Sequence, residues 1–237
     1  MIATYVNCLA VIVGSVLGLT FRASVNERFQ EVVYTGVGMV SLVIGIIMTI
    51  ETTRILYVAL AVVIGGILGE WWNIEGGILK LGSFLQRKFE KKSDDEGGFA
   101  HGFLNASILF CVGAMTIVGS FRAGVDGQYD IILTKSVMDG SMAILLAAVM
   151  GPGVIFSVLT ILIYQGGLTL VSVALSPWIG DLVLSEISGA GGVLIIMIGL
   201  SLLKIKKIKT GNYLPALFLV LAATLLEPIV VELIGSS

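Results

Sequence analysis

Charged residues are scarce in this chain of 237 residues, in which Asp, Glu, Lys and Arg make up 13% and apolar residues 57%. The mean hydropathy is +1.03. A soluble domain of this length covers its core with many more charges, so the composition excludes a water-soluble globular protein. The net charge of −2 is too small to indicate a nucleic acid or an acidic substrate as a partner.

Residues with metal-binding or nucleophilic chemistry are also few. The chain has one histidine, His101, and two cysteines, Cys8 and Cys111, which both lie inside apolar runs. The sequence has no Ser/His/Asp set, no cluster of metal ligands and no HExxH motif. We therefore expect no enzymatic activity, no cofactor and no metal site, and we expect the cysteines to pack as small apolar residues.

Long apolar runs are abundant, and several reach the roughly 20 residues that cross a hydrocarbon core of ~30 Å. Eight runs lie at about 1–21, 32–50, 55–72, 102–119, 136–150, 153–175, 189–203 and 213–234. They predict an all-α, polytopic transmembrane helical bundle that forms a single domain over residues 1–237. The first run lacks a basic N-terminal region and a small-residue cleavage site, so we expect a span and not a signal peptide.

The fifth run, at about 136–150, is the weakest candidate because it is short and ends in the turn signal Gly151-Pro152-Gly153. It predicts either a complete span, for a total of eight, or a re-entrant hairpin, for a total of seven. Basic residues concentrate in cytoplasmic loops. With eight spans and an outer N-terminus, three basic residues lie outside, namely Arg54, Arg122 and Lys135. Eleven lie inside, namely Arg22, Arg28, Lys80, Arg87, Lys88, Lys91, Lys92, Lys204, Lys206, Lys207 and Lys209.

The seven-span alternative reverses every segment after the fifth run. It would place the four lysines at 204–209 outside, and it would place inside a predicted loop at 176–188 that has no Lys or Arg. The charge distribution therefore favours eight spans, with both termini on the outer, periplasm-equivalent face.

The loop at about 73–101 is the only sizeable polar segment. Its stretch LGSFLQRKFEKKSDDEGG predicts an amphipathic cytoplasmic helix followed by a solvated acidic tail. The alternative is an ordinary basic loop that only enforces topology. The predicted helix would rest an apolar face on anionic lipid headgroups, with basic residues opposite; the apolar face is Ile78, Leu81, Leu85 and Phe89, and the basic residues are Arg87, Lys88, Lys91 and Lys92.

Short internal similarities predict tandem two-helix repeats in the first four spans. AVIVGSVLG at 10–18 resembles AVVIGGILG at 61–69, and Met-Thr-Ile occurs at both 48–50 and 115–117. Each nine-residue stretch carries a pair of glycines four residues apart, which lets helix backbones approach closely. Helix packing is the expected role of these glycines, and glycine-rich faces also permit a homo-oligomer.

Polar residues inside apolar runs are the candidate site residues, because a charge near the bilayer centre costs at least ~2.5 kcal/mol. Lys135 and Asp139 lie one helical turn apart, so they can neutralise each other or line a path. Gln165 precedes Gly166 and Gly167, and two glycines weaken a helix. A helix break at this position would expose backbone carbonyls beside the amide, which is the functional interpretation; its alternative is simple helix packing.

The last run contributes Glu227, which precedes Pro228. The proline ring removes the hydrogen bond to the carbonyl of Thr224, so a carboxylate and a free carbonyl would lie close together and suit a cation. Asn7, two turns into the first span, could join them. The alternative is that Glu227 is simply hydrated near the outer interface.

Four motifs resemble those of the YqgA/YdfK-type family of bacterial inner-membrane proteins. They are VNCLA at 6–10, VGAMTIVGS at 112–120, KSVMDG at 135–140 and YQGGLTL at 164–170, and the resemblance spans nearly the whole chain. It implies a multi-pass inner-membrane location and a shared fold. The family has no assigned function, and its members are described as membrane proteins or candidate transporters. Asn7, Lys135, Asp139 and Gln165 fall within these motifs.

The expected function is a transporter or channel for a small solute, with a cation favoured. Asp139 and Glu227 would be its charge partners, Gln165 and the carbonyls near Gly166 its neutral ligands, and Lys135 a gate or counter-ion. The alternative is a non-transporting sensor or scaffold that binds a partner through its basic segment at 87–92. The expected partners are thus the lipid bilayer and a small solute or ion that the sequence does not name.

Overall fold

The computed structural model describes residues 1–22, 27–89, 98–112, 114–175, 177 and 179–235. Within these ranges the chain is almost entirely helical and has no strand, as the sequence predicts. The helices are α1 (Ile2–Arg22), α2 (Glu27–Ile50), α3 (Ile55–Trp72), α4 (Ile74–Phe89), α5 (Gly98–Val112), α6 (Ala114–Val125), α7 (Asp130–Met150), α8 (Gly153–Leu175), α9 (Asp181–Leu202) and α10 (Pro215–Gly235), with a 3₁₀ turn at Thr210–Tyr213 before α10.

Seven described segments are long and apolar enough to cross a membrane, namely Ile2–Phe21, Gln30–Ile50, Ile55–Trp72, Asp130–Met150, Gly153–Ala174, Asp181–Leu202 and Thr210–Glu227. The fifth run, which the sequence left in doubt, is the continuous helix α7 of 21 residues. At 1.5 Å per residue it is long enough for a complete span. It ends at Gly151, whose positive φ of 83° suits a residue without a Cβ.

The irregular span is the fourth run, which the sequence predicts as one helix over 102–119. This prediction is wrong in detail, because the segments Gly98–Cys111 and Met115–Val125 are bent by 57° relative to each other. The bend leaves carbonyls at the end of α5 without helical partners. The hydroxyl of Thr116 donates to one of them, the carbonyl of Phe110, at 3.0 Å.

Helices α5 and α6 together follow α8 from one end of the bundle to the other. Phe99 at the start of α5 packs on Gly153 at the start of α8, and Gly124 near the end of α6 packs on Ser172 near the end of α8. A re-entrant loop would return to the end where it began. The contacts therefore favour one broken span, and with it a total of eight.

Basic residues gather at one end of the bundle, which we call the basic end. It holds the α7–α8 turn, helix α4 and the segment between α9 and α10. The exposed basic side chains described there are Arg28, Lys80, Arg87, Lys204, Lys206, Lys207 and Lys209, whereas Arg54 and Arg122 are exposed at the opposite end. This segregation agrees with the asymmetry that the sequence predicts.

Helix α4 occupies the polar loop, where the sequence predicts an amphipathic helix. Its predicted apolar face is divided: Ile78 packs against the core, and Leu81 is 52% exposed. Phe84 is 54% exposed as well. Gly82 packs on Ala100 of α5. Residues 90–97, including Lys91 and Lys92, lie outside the described residues.

Glycines let three helix pairs approach closely. Helices α1 and α7 run parallel, and a Cβ added to Gly14 would collide with the backbone of Gly140. Helices α2 and α9 run antiparallel and meet at Gly45 and Gly192, and α3 meets α10 where Gly65 packs on the backbone of Ala216. The glycine pair of α1 packs on α7, whereas that of α3 packs on the α10 side of the bundle, so these glycines act as packing residues. The tandem repeat stays a prediction.

Candidate polar site between helices α1, α7 and α8

Four of the six predicted site residues form one hydrogen-bonded cluster. The amide nitrogen of Asn7 donates to Asp139 Oδ2 and to Gln165 Oε1, both at 3.0 Å. The Lys135 ammonium donates to the same oxygen of Asp139 and forms an ion pair with it. Gln165 Nε2 donates to the hydroxyl of Thr4 at 3.3 Å. We call these five residues the polar cluster.

The polar cluster is buried within membrane-crossing helices. Asn7 and Gln165 are 0% exposed, Lys135 is 4% exposed and Asp139 is 8% exposed. Its position follows from helix packing, because the contact of α1 with Gly140 holds Asn7 beside Asp139. The helical spacing of four residues places Lys135 on the same face as Asp139.

Gly166 contributes close packing and not a helix break. Helix α8 runs unbroken from Gly153 to Leu175, so the predicted break at Gly166-Gly167 is wrong. A glycine costs only ~1 kcal/mol in a helix, and tertiary contacts compensate for that. A Cβ on Gly166 would lie 3.3 Å from the methyl carbon of Met1, and the hydroxyl of Thr169 donates to the carbonyl of Gln165 at 2.9 Å.

One polar atom of the polar cluster lacks a hydrogen-bond partner among the described residues. This atom is Asn7 Oδ1, which is buried. An unsatisfied buried acceptor costs about 1–3 kcal/mol, and buried polar atoms in native proteins usually have a partner. The cluster therefore holds one unused oxygen ligand next to a carboxylate.

A groove of about 520 Å³ leads to the cluster between α2 and α7. Its walls are mainly apolar, but Lys135 and Asp139 line it together with Glu51, which directly follows α2. The Glu51 carboxylate accepts a hydrogen bond from Ser188 at 3.0 Å. Charged residues thus line the groove at two places. Lys135 and Asp139 lie in its inner part, and Glu51 lies at the end of the groove that is farther from the basic end.

Glu227 is not joined to the polar cluster. Its Oε1 accepts from Arg54 Nε at 2.9 Å, and no hydrogen bond between described residues connects it with Asp139 or Asn7. Its side chain is 15% exposed, and Oε2 has no partner among the described residues. Helix α10 continues through Pro228 to Gly235. The expected meeting of Glu227 with Asp139 is therefore absent from this part of the structure.

Sequence reasoning missed Glu186, which is fully buried. Its carboxylate accepts from the hydroxyl of Thr52, from the N–H and hydroxyl of Thr53 at 2.7 and 3.0 Å, and from the N–H of Arg54 at 3.0 Å. These backbone donors precede α3, so Glu186 stabilises the N-terminus of that helix. The residue was missed because a loop was predicted at 176–188, whereas α9 begins at Asp181. The apolar residues 182–184 and 187 were the available signal.

We predict that Glu186→Gln destabilises the fold by about 2–3 kcal/mol, because the neutral amide lacks the negative charge that strengthens the four hydrogen bonds from Thr52, Thr53 and Arg54. The measurement is thermal unfolding in detergent, where the Tm should fall by roughly 4 °C or more. Asp181→Asn, at an exposed position of the same helix, is the matched control and should leave the Tm unchanged. Equal Tm values for Glu186→Gln and the wild type would contradict the capping role.

A second cavity, of about 710 Å³, lies at the basic end. Glu75, His101, Lys204 and Lys207 contribute charged or titratable side chains to its wall. Glu75 Oε2 accepts from the N–H of Gly211 at 2.8 Å. Burial raises the pKa of the Glu75 carboxyl above its ordinary value, although the Gly211 hydrogen bond and nearby lysines oppose this shift.

The bundle of apolar helices with buried polar side chains defines a multi-pass helical membrane protein. Residues 2–225 match a family described as "Protein of unknown function (DUF554)", and the chain belongs to that family.

Two relatives support the assignment. The chain is 33% identical over 223 residues to "Uncharacterized membrane protein YdfK" of Bacillus subtilis strain 168, an alignment that covers 92% of this chain and 93% of the relative. It is 28% identical over 221 residues to "Uncharacterized protein YqgA" of Escherichia coli strain K12, with 92% and 94% covered. No solved structure matches the chain.

Proposed function

We propose that this membrane protein is a transporter or channel for a small solute, a cation being the favoured class, and that the polar cluster is its binding site. The observation that supports the proposal is the burial of Lys135 and Asp139 beside two fully buried amides. Each charge costs at least ~2.5 kcal/mol at membrane depth, and such residues usually mark a substrate or ion path. The unpaired oxygen of Asn7 adds a free ligand at the same place.

The two cavities give the proposed path its openings. The groove between α2 and α7 would admit the solute from the Glu51 end, and the cavity at the basic end would receive it on the other side. Helix α1 contacts α7 where Gly14 meets Gly140, so a shift of α1 against α7 would change access to the cluster.

For the orientation, we propose that the protein lies in a bacterial inner membrane with the basic end in the cytoplasm and both termini outside. The support is the gathering of exposed lysines and arginines at one end. The broken span of α5 and α6 keeps the number of crossings even, which places the two termini on the same side.

The orientation predicts that alkaline phosphatase fused to the C-terminus is active. A cysteine in the α7–α8 turn should react with a membrane-impermeant maleimide only after permeabilisation. Pro152 is the suitable position, because a side chain at Gly153 would collide with the backbone of Phe99. Cys8 and Cys111 are buried and provide the unreactive background. Labelling of Pro152→Cys in intact cells, or an inactive fusion, would overturn the orientation.

Transport itself is tested in proteoliposomes that contain the purified protein. We expect the wild type to take up at least one of radiolabelled sodium, rubidium or methylammonium faster than empty liposomes do. Replacing the basic residues of the segment 87–92 by serine should leave this flux unchanged. A scaffold would instead show no flux and would lose its partner when the same segment is replaced, which separates the two functions.

A further inference from the structure

We infer that the polar cluster binds a monovalent alkali cation, and that the Lys135 ammonium is a tethered competitor that occupies the cation's place on Asp139. The inference rests on the proposed function in that it takes the same cluster as the solute site. It adds the chemical class of the ligand and the residue that controls its binding.

Charge balance indicates a monovalent ion. Asp139 supplies one negative charge and Lys135 one positive charge, so the buried pair is neutral as the structure shows it. If an alkali cation replaces the ammonium and the displaced ammonium moves toward Glu51, one positive charge again neutralises each carboxylate. A divalent ion would leave an uncompensated positive charge at a site that is at most 8% exposed, and this is strongly unfavourable.

The oxygens of the cluster are the ligands that hard cations prefer. At present Asn7 Nδ2 lies 3.0 Å from both Asp139 Oδ2 and Gln165 Oε1, while Asn7 Oδ1 has no partner among the described residues. Rotation of the Asn7 amide by half a turn exchanges its nitrogen and oxygen. Three oxygens, one each from Asn7, Asp139 and Gln165, would then converge on one point, and the Thr4 hydroxyl lies next to Gln165.

The Lys135 side chain can withdraw from Asp139 when the cation binds. It precedes Asp139 by one helical turn and forms an ion pair with it. Helical side chains normally point toward the N-terminus of their helix, which here is the direction of the groove's outer end. Glu51 lines the same groove as Lys135, so a withdrawn ammonium would approach a second carboxylate. Replacement of the ammonium by a cation therefore needs rotation of two side chains, Asn7 and Lys135, and no movement of a helix.

The test measures binding apart from transport. Thermal unfolding of the purified protein in detergent is followed in sodium, lithium, potassium or choline chloride at one ionic strength. We expect at least one alkali cation to raise the Tm in a saturable manner relative to choline, because a ligand that binds only the folded state stabilises it.

Variants identify the site. Lys135→Gln should lower the half-saturating cation concentration by roughly tenfold or more, since the competing charge is gone. The double variant Asp139→Asn with Lys135→Gln should show no alkali-specific shift. Glu70→Gln, in an ion pair with Lys209 that is 59% exposed on both sides, is the matched control and should respond as the wild type does.

The outcomes separate the inference from the proposed function. Identical Tm values in all four chlorides, for both the wild type and Lys135→Gln, would overturn cation binding. A shift that survives in the double variant would also overturn it, because the ion would bind elsewhere. Solute flux that requires Asp139 without any cation response would leave the proposed function standing and refute this inference. Cation binding without flux of any tested ion would leave this inference standing and refute the proposed function.

Discussion

Asp139→Asn is expected to abolish flux and to lower stability together. The substitution leaves the Lys135 ammonium buried in the membrane without its carboxylate, and removal of one partner from a buried ion pair costs about 3–5 kcal/mol. Flux should fall by about a hundredfold or more, because the charge that would hold the solute is gone. The measurements are the Tm in detergent and uptake by proteoliposomes.

The double variant with Lys135→Gln distinguishes a binding site from a structural ion pair. Neutralising both residues removes the unpaired charge, so stability should return to near the wild-type value while flux stays absent. Glu70→Gln breaks an exposed pair, so its expected cost is only about 0–1 kcal/mol. If the double variant recovers both stability and flux, Asp139 and Lys135 only neutralise each other and the site proposal fails.

Gly14→Val is expected to prevent assembly of the bundle. A Cβ at this position would overlap the carbonyl oxygen of Gly140, and backbone atoms cannot move aside as a flexible side chain does. Overpacking of ordinary side chains costs about 1–3 kcal/mol, so a collision between backbones should exceed that range. The expected result is a strongly reduced monodisperse peak in size-exclusion chromatography and loss of the thermal transition.

Gly167→Val is the matched control for this substitution. It introduces the same side chain into a membrane-crossing helix, and a Cβ at Gly167 meets no atom within 4 Å. The control therefore carries the cost of valine in a helix without the collision. A normal chromatographic peak for Gly14→Val would show that α1 and α7 do not depend on this contact.

Much of the fold follows from the sequence because a span needs a fixed length of apolar residues. Seven segments passed that criterion in the structure as well. The bend between α5 and α6 did not follow, since the bonds that compensate for it, such as that from Thr116 to Phe110, do not alter hydropathy. The start of α9 was missed because a buried carboxylate lowers hydropathy as much as an exposed one does. The buried carboxylate of Glu186 is tolerated in the membrane because N–H groups of the α2–α3 loop donate hydrogen bonds to it.

The site was predictable to the extent that helical spacing determines contacts. Lys135 and Asp139 lie on one helix, so their pairing could be predicted. The contacts of Asn7 with Asp139 and Gln165 join residues that are 132 and 158 positions apart, and only tertiary packing creates them. The partner of Glu227 depends on tertiary packing in the same way. Arg54 lies 173 positions away, and the antiparallel packing of α3 on α10 brings it near.

The parallel pairing of α1 with α7 also has a consequence for biogenesis. Asn7 leaves the ribosome 132 residues before Asp139. At roughly 5–20 residues per second, α1 waits roughly 7–26 s in the bilayer before its partner is synthesised. During that interval the amide of Asn7 and the glycine face of α1 meet lipid or other proteins. Helix α1 is thus held in place only after α7 has been translated, and premature termination before α7 should release a fragment that quality-control proteases can recognise.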